Sequence, residues 1–279
     1  MAISFNESSV QAVPLGAGVA RQHLITEARV PGTNILLDRV TLAAGGTLGL
    51  AIRRDALAWL QMLDGEAELA HRGATDVLSP AHVAFLPPGF AGTLTTPAGA
   101  ILLHGEIPRA DRFDPQLAAH PPAFRIVDWT REPVLDSLHD ARKRIYLVTP
   151  KLFGTSAIKG EMIIYPPGTQ AANHHHEGAE HFMYILRGRG TCWANEQPFK
   201  VRAGDVVYYP DRERHYLKAD DDTEMAFGEF FVPGEYKTIW VDESQVCTWL
   251  PTGRDISGNK PVREIKAHSS AEVLSPADV

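Results

Sequence analysis

At 279 residues, with 44% apolar and 22% charged side chains, the chain is long enough for one large barrel or two ordinary domains. Its formal net charge of -7 argues against wrapping nucleic acid or docking on an anionic membrane, and its two cysteines make no disulfide framework. No stretch approaches the roughly 18 uninterrupted apolar residues of a membrane helix. The N-terminus lacks a basic start and an apolar signal core, so a cytoplasmic protein with a small-molecule partner is expected.

In chain order, the runs "ILLDRVTL", "AWLQML" and "HVAFLP" are short, apolar and bounded by Gly, Pro and Asp, the pattern of strands in an all-β barrel or sandwich. A proline-rich segment follows, in which "LDSLHDARKRI" is expected to form one helix. The runs "GEMIIY", "HFMYILRG" and "DVVYYP" then repeat the strand pattern. A constant offset of 123 residues relates the two halves: Gly45 to Gly168, Leu63 to Leu186, Gly65 to Gly188, Val83 to Val206, Pro87 to Pro210, Gly105 to Gly228 and Glu106 to Glu229. The chain is therefore read as a duplication. Residues 1–110 form a first barrel, 111–147 a connecting segment, 148–232 a second barrel and 233–279 an extension packing back on a barrel. The final stretch "AHSSAEVLSPADV" is expected to be disordered.

The second copy carries "NHHHEGAEH", with four of the twelve histidines in nine residues. Residues two apart on a strand share a face, so His174 and His176 both enter the barrel. His181 arrives on the next strand and His215 after the turn at Pro210. Imidazoles gathered in this way suit Fe, Mn, Ni, Cu or Zn. The offset of 123 maps these four positions onto Ala51, Arg53, Ala58 and Gly92, so the first barrel is expected to hold no metal.

The spacing of Gly168, His174-x-His176, His181 and Gly188, followed by Gly204, Pro210, Arg212 and His215, resembles the two motifs of the cupin superfamily. The resemblance implies an all-β bicupin of two tandem jelly-roll (RmlC-like) barrels, with one divalent metal in the second. Two positions depart from the family pattern. His181 stands where a glutamate ligand is usual, with Glu180 one residue earlier on the opposite strand face, and Arg212 replaces a glycine. The set His174, His176, His181 and His215 is similar to that of histidine-ligated cupin dioxygenases. This implies Fe(II) chemistry on an enediol, diketone or catechol-like substrate. The run from Glu180-His181 to Gly190 is also similar to the (S)-ureidoglycine aminohydrolases, manganese bicupins. Aligned without a gap, that family makes His175 and Glu177 the first two ligands and implies Mn(II)-dependent hydrolysis. A third reading is a non-catalytic ligand-binding cupin.

Met183, Ile185 and Tyr209 are expected to line the substrate pocket, the first two by sharing parity with His181. Glu229 has a twin, Glu106, in the copy without histidines, and is read as structural. Cys192 reads as a buried strand thiol, and Trp193, Trp240 and Trp249 as packing residues. Exposed sheet edges and the segment 232–262 suggest a homodimer.

Overall fold

The computed structural model describes residues 1–242, 244, 247–266 and 268. Two compact units account for them, each built from two antiparallel sheets with an apolar core between. Within these residues no helix is long and apolar enough to cross a membrane.

The first unit comprises Glu7–Asp128 and Phe153–Ala157. Its seven-stranded sheet runs in the order Arg125–Asp128, His82–Leu86, Leu57–Gly65, Ala100–Ile107, Leu36–Leu42, Val19–Ile25 and Val13–Gly16. Its four-stranded sheet runs Thr47–Ala51, Ala91–Thr95, Ala67–His71 and Ala74–Leu78. Because strand side chains alternate, Val40, Leu60 and Leu102 of one sheet meet Leu50, Leu69 and Leu94 of the other in one aliphatic core.

The second unit comprises Met1–Asn6, Trp129–Leu152 and the chain from Ile158. Its larger sheet has the order Ile3–Asn6, Asp205–Tyr209, Glu180–Arg187, Met225–Val232, Lys159–Tyr165, Lys143–Val148, Val134–Ser137 and Trp249–Pro251. Its smaller sheet has the order Gln197–Arg202, Arg189–Ala194, His215–Ala219, His174–Glu177 and Lys237–Trp240. These units do not follow the linear division of the sequence. Met1–Asn6 pairs with Asp205–Tyr209 at the edge of the second unit's larger sheet, and residues 129–147 belong to that unit too.

The helix expected over "LDSLHDARKRI" is absent. Val134–Ser137 and Lys143–Val148 are antiparallel strands in that place. The turn between them is closed by Ser137 Oγ, which accepts from the amides of His139 and Asp140, while Asp140 accepts from the Arg142 amide. Ser and Asp satisfy turn amides in this way, which favours a hairpin over a helix. The stretch expected to be disordered lies largely outside the described residues, but His268 is described, 2.7 Å from the Tyr146 hydroxyl.

The repeated glycines have a steric cause. Gly188 has φ +78°, and a Cβ there would lie 2.0 Å from the Glu224 carbonyl oxygen. Its twin Gly65 has φ +71°, with the Gly99 oxygen 2.3 Å from the same imagined atom. Both positions combine a left-handed backbone with a close strand crossing, so only glycine fits.

Candidate metal centre

His174 and His176 stand on the strand His174–Glu177, His181 on Glu180–Arg187 and His215 at the head of His215–Ala219. Direct pairing of His174 with His215 brings the smaller sheet's histidines together, and His181 approaches from the larger sheet. One ligand nitrogen from each of His174, His176 and His215 lies within 4.8 Å of the others, a group able to hold a metal ion. The His181 ring adjoins this group, with its centroid 5.0 Å from His176 and 4.7 Å from His215, stacked between Tyr209 and Phe231.

The hydrogen bonds fix which nitrogens face inward. Nδ1 of His174 lies 2.8 Å from the Ala172 carbonyl oxygen, and Nδ1 of His215 lies 2.8 Å from that of Glu213. A carbonyl only accepts, so each Nδ1 carries the proton and each Nε2 presents a lone pair to the cluster. Nδ1 of His176 lies 3.1 Å from Thr238 Oγ1. Outer partners of this kind orient metal-binding imidazoles. Both ring nitrogens of His181 are buried without an aligned hydrogen bond, and Nε2 faces Glu229 Oε1 at 3.4 Å.

Burial holds all four imidazoles neutral, the form that binds metal. It drives His174, His176 and His181 well below the ordinary histidine range, with neighbouring imidazoles adding to the effect. His215 is lowered to about 4, again chiefly by burial. These observations fit a divalent ion bound by soft-to-borderline nitrogen donors.

The other candidate ligands stand outside the close group. Glu180 accepts a hydrogen bond from the Tyr208 hydroxyl at 2.7 Å, on the opposite face from His181 as strand parity demands. His175 and Glu177 face each other at 3.6 Å and are not part of the close group. Arg212, in the motif's glycine position, adopts φ +64°; its amide donates to the His176 carbonyl at 2.8 Å and its side chain is exposed. In the first unit the equivalent positions cannot bind. Ala58 is core, Arg53 pairs with Asp55, and a side chain on Gly92 would meet the Ala70 oxygen at 2.9 Å.

His174, His176 and His215 open into a cavity of about 960 Å³ whose lining differs from the sequence expectation. Met183, Ile185 and Tyr209 share the inward face but lie in the apolar core with Val207 and Phe227. Parity fixes a face and not a depth, and these side chains fill the closed part of the barrel. Glu229, read as structural, lines the cavity with Oε1 3.4 Å from His181 Nε2, and burial pushes its carboxyl well up. Trp240 and Trp249 also line it, and the Trp240 ring sits 5.0 Å from His174.

A charged group that no sequence motif marks lines the same cavity. Arg144 Nη2 lies 3.1 Å from Glu161 Oε1, and Lys159 Nζ lies 3.6 Å from Glu161 Oε2 and 2.6 Å from the Tyr236 hydroxyl. Arg142 is held by Asp140 at 2.8 Å. The repeat carried a signal for this group: the offset of 123 pairs Arg21 with Arg144 and Asp38 with Glu161, and Arg21 and Asp38 form an ion pair at 3.3 Å.

Fold and cluster together define an all-β protein of two jelly-roll barrels, the second carrying a buried histidine site suited to a metal. Residues 161–233 match the family model of the cupin domain. That match lies within the second unit, the one that carries the histidine cluster.

Among curated proteins the chain is similar to the oxalate-binding protein of Thermotoga maritima, at 34% identity over 62 residues, 22% of this chain and 51% of that protein. It is also similar to oxalate decarboxylase OxdC of Bacillus subtilis, at 25% over 127 residues, 41% of this chain and 33% of that one. The chain thus spans about half or less of these relatives. Among solved structures, protein Ylba from E. coli superposes with a TM-score of 0.65 at 14% identity, covering 83% of this chain and 90% of that one. A mutant of B. subtilis OxdC superposes with 0.67 at 16%, covering 85% and 79%. At these identities the likeness is one of fold.

Proposed function

We propose that the second barrel is the active centre of a metal-dependent enzyme acting on a small, anionic, oxygen-rich organic molecule, with His174, His176, His181 and His215 as the ligands. The reading we favour is a non-haem Fe(II) dioxygenase of an enediol, diketone or catechol-like substrate. One observation carries it: the imidazoles of His174, His176 and His215 converge, those of His174 and His215 with their lone pairs inward, and no carboxylate belongs to that close group. Bound there, a divalent ion supplies Lewis acidity and, as Fe(II), a site for O2.

The chain's own residues do the rest. Uncharged ligands leave the charge of the ion undiminished, which favours an anionic substrate, and the walls of Phe227, Phe231 and Trp240 shield the reacting end from bulk water. Glu229 beside His181 holds a proton near neutrality because burial raises its pKa, and so can donate it to a substrate oxygen.

A second reading is redox-neutral Mn(II) chemistry, hydrolysis or decarboxylation. The same Glu229, together with Lys159, lowered to about 8 by burial, favours it by supplying acid–base groups that an O2 reaction does not require. The likeness to oxalate decarboxylase, whose Mn(II) centres are the subject of one solved structure, points the same way.

Protein loaded with Fe(II) or Mn(II) should be tested on catechols, diketones and ureido acids with an oxygen electrode and ammonia and CO2 assays. Oxygen uptake that requires iron supports the first reading. Ammonia or CO2 release without oxygen demand replaces it with the second.

A further inference from the structure

The row of side chains across the larger sheet measures the site. Lys159 pairs with Phe231, Phe231 with His181, and His181 with Tyr209. Neighbouring strands lie ~4.8 Å apart, so the Lys159 and His181 backbones are separated by about 10 Å. Arg144 and Lys159 share the fully buried carboxylate of Glu161, two cations against one anion. Neither oxygen of that carboxylate makes an aligned hydrogen bond, and Arg144 Nε is buried without one. Arg142 does not join them, because Asp140, Tyr165 and Cys247 occupy its donors. Glu229 is the cross-strand neighbour of Glu161 and turns its oxygen to His181.

Aromatic rings surround the pair of cations. Lys159 Nζ lies 4.7 Å from the Tyr236 ring centroid and 5.2 Å from that of Phe231, and the Arg144 guanidinium lies 4.1 Å from that of Trp249. A two-carbon diacid would fill little of a 960 Å³ cavity.

We propose that the cavity takes an aromatic carboxylic acid, its carboxylate on Lys159 and Arg144 and its oxygen donors at the opposite end facing the histidines. The inference rests on the metal reading above and adds the substrate class. A charge-assisted pair of this kind is worth about tenfold or more in affinity.

Full-length protein loaded with Fe(III) is titrated without oxygen, once with 3,4-dihydroxybenzoate and once with catechol, following the visible charge-transfer absorption of an iron catecholate. The carboxylated compound is expected to bind about tenfold or more tightly. Lys159→Met and Arg144→Gln are each expected to remove most of that difference while catechol titrates as in the wild type; if one variant fails to fold, the other gives the answer. Equal affinity for the two compounds, or a difference that survives both substitutions, overturns the carboxylate subsite and leaves the metal reading standing. Absence of the absorption with either compound overturns the metal reading and the inference with it.

Discussion

Lowering the pH of metal-free protein from 7 to 5 is expected to destabilise the second unit, and His215 sets the scale. Its imidazole titrates near 6.5 when unfolded and at about 4 when folded, because burial disfavours the cation. A histidine whose folded pKa is depressed leaves the unfolded chain holding the extra proton between those two values. Stability is therefore full above about 6.5 and falls as the pH drops toward 4. Integrating one proton over that shift gives a loss of about 2 kcal/mol between pH 7 and 5 from His215 alone. His174, His176 and His181 are shifted in the same direction by the same cause and steepen the slope. The assay is urea unfolding of chelator-treated protein at half-unit pH steps, paired with an NMR titration of the histidine Cε1 protons in the wild type and in His215→Gln. Stability that stays flat between pH 7 and 5, or a His215 resonance that titrates near 6.5, would refute the argument that burial keeps this ring neutral.

Three further outcomes follow from the same geometry. Thr238→Val, which removes the partner of His176 Nδ1, is expected to weaken metal binding about tenfold or more without unfolding the chain, as read by competition with a chromogenic chelator. His181→Ala is expected to lower metal affinity. Glu180→Ala is expected to leave it intact and cost ~1 kcal/mol in urea unfolding through the lost Tyr208 hydrogen bond. Gly188→Ala forces a Cβ against the Glu224 oxygen in a left-handed backbone and is expected to cost more than about 3 kcal/mol, visible as insoluble expression or a large loss of thermal stability.

Much of the architecture was legible because duplication doubled every signal. The pairs Gly65 and Gly188, and Pro87 and Pro210, marked the same turns twice, and the vacancy of Ala51, Arg53, Ala58 and Gly92 separated ligand positions from scaffold. The histidines were legible because their spacing matches strand parity. Depth was not: Met183 and Ile185 face inward as expected but are sealed in the core, while Phe227 and Phe231 form the wall. Arg144, Lys159 and Glu161 escaped notice because an alternating strand with polar residues on one face normally turns that face to water. Only the closure of the barrel makes it an interior. The hairpin at Ser137–Arg142 was hidden behind charged residues at helical spacing, although Ser137 and Asp140 were the turn formers.

That the second barrel alone gathers a divalent ion is tested by metal analysis of the purified protein beside His176→Ala and His215→Ala variants, each shown to be folded by circular dichroism. One transition metal per wild-type chain and almost none in either variant is the expected result. Wild-type chains that stay metal-free after incubation with Fe(II) or Mn(II), or variants that keep a full equivalent, would contradict it.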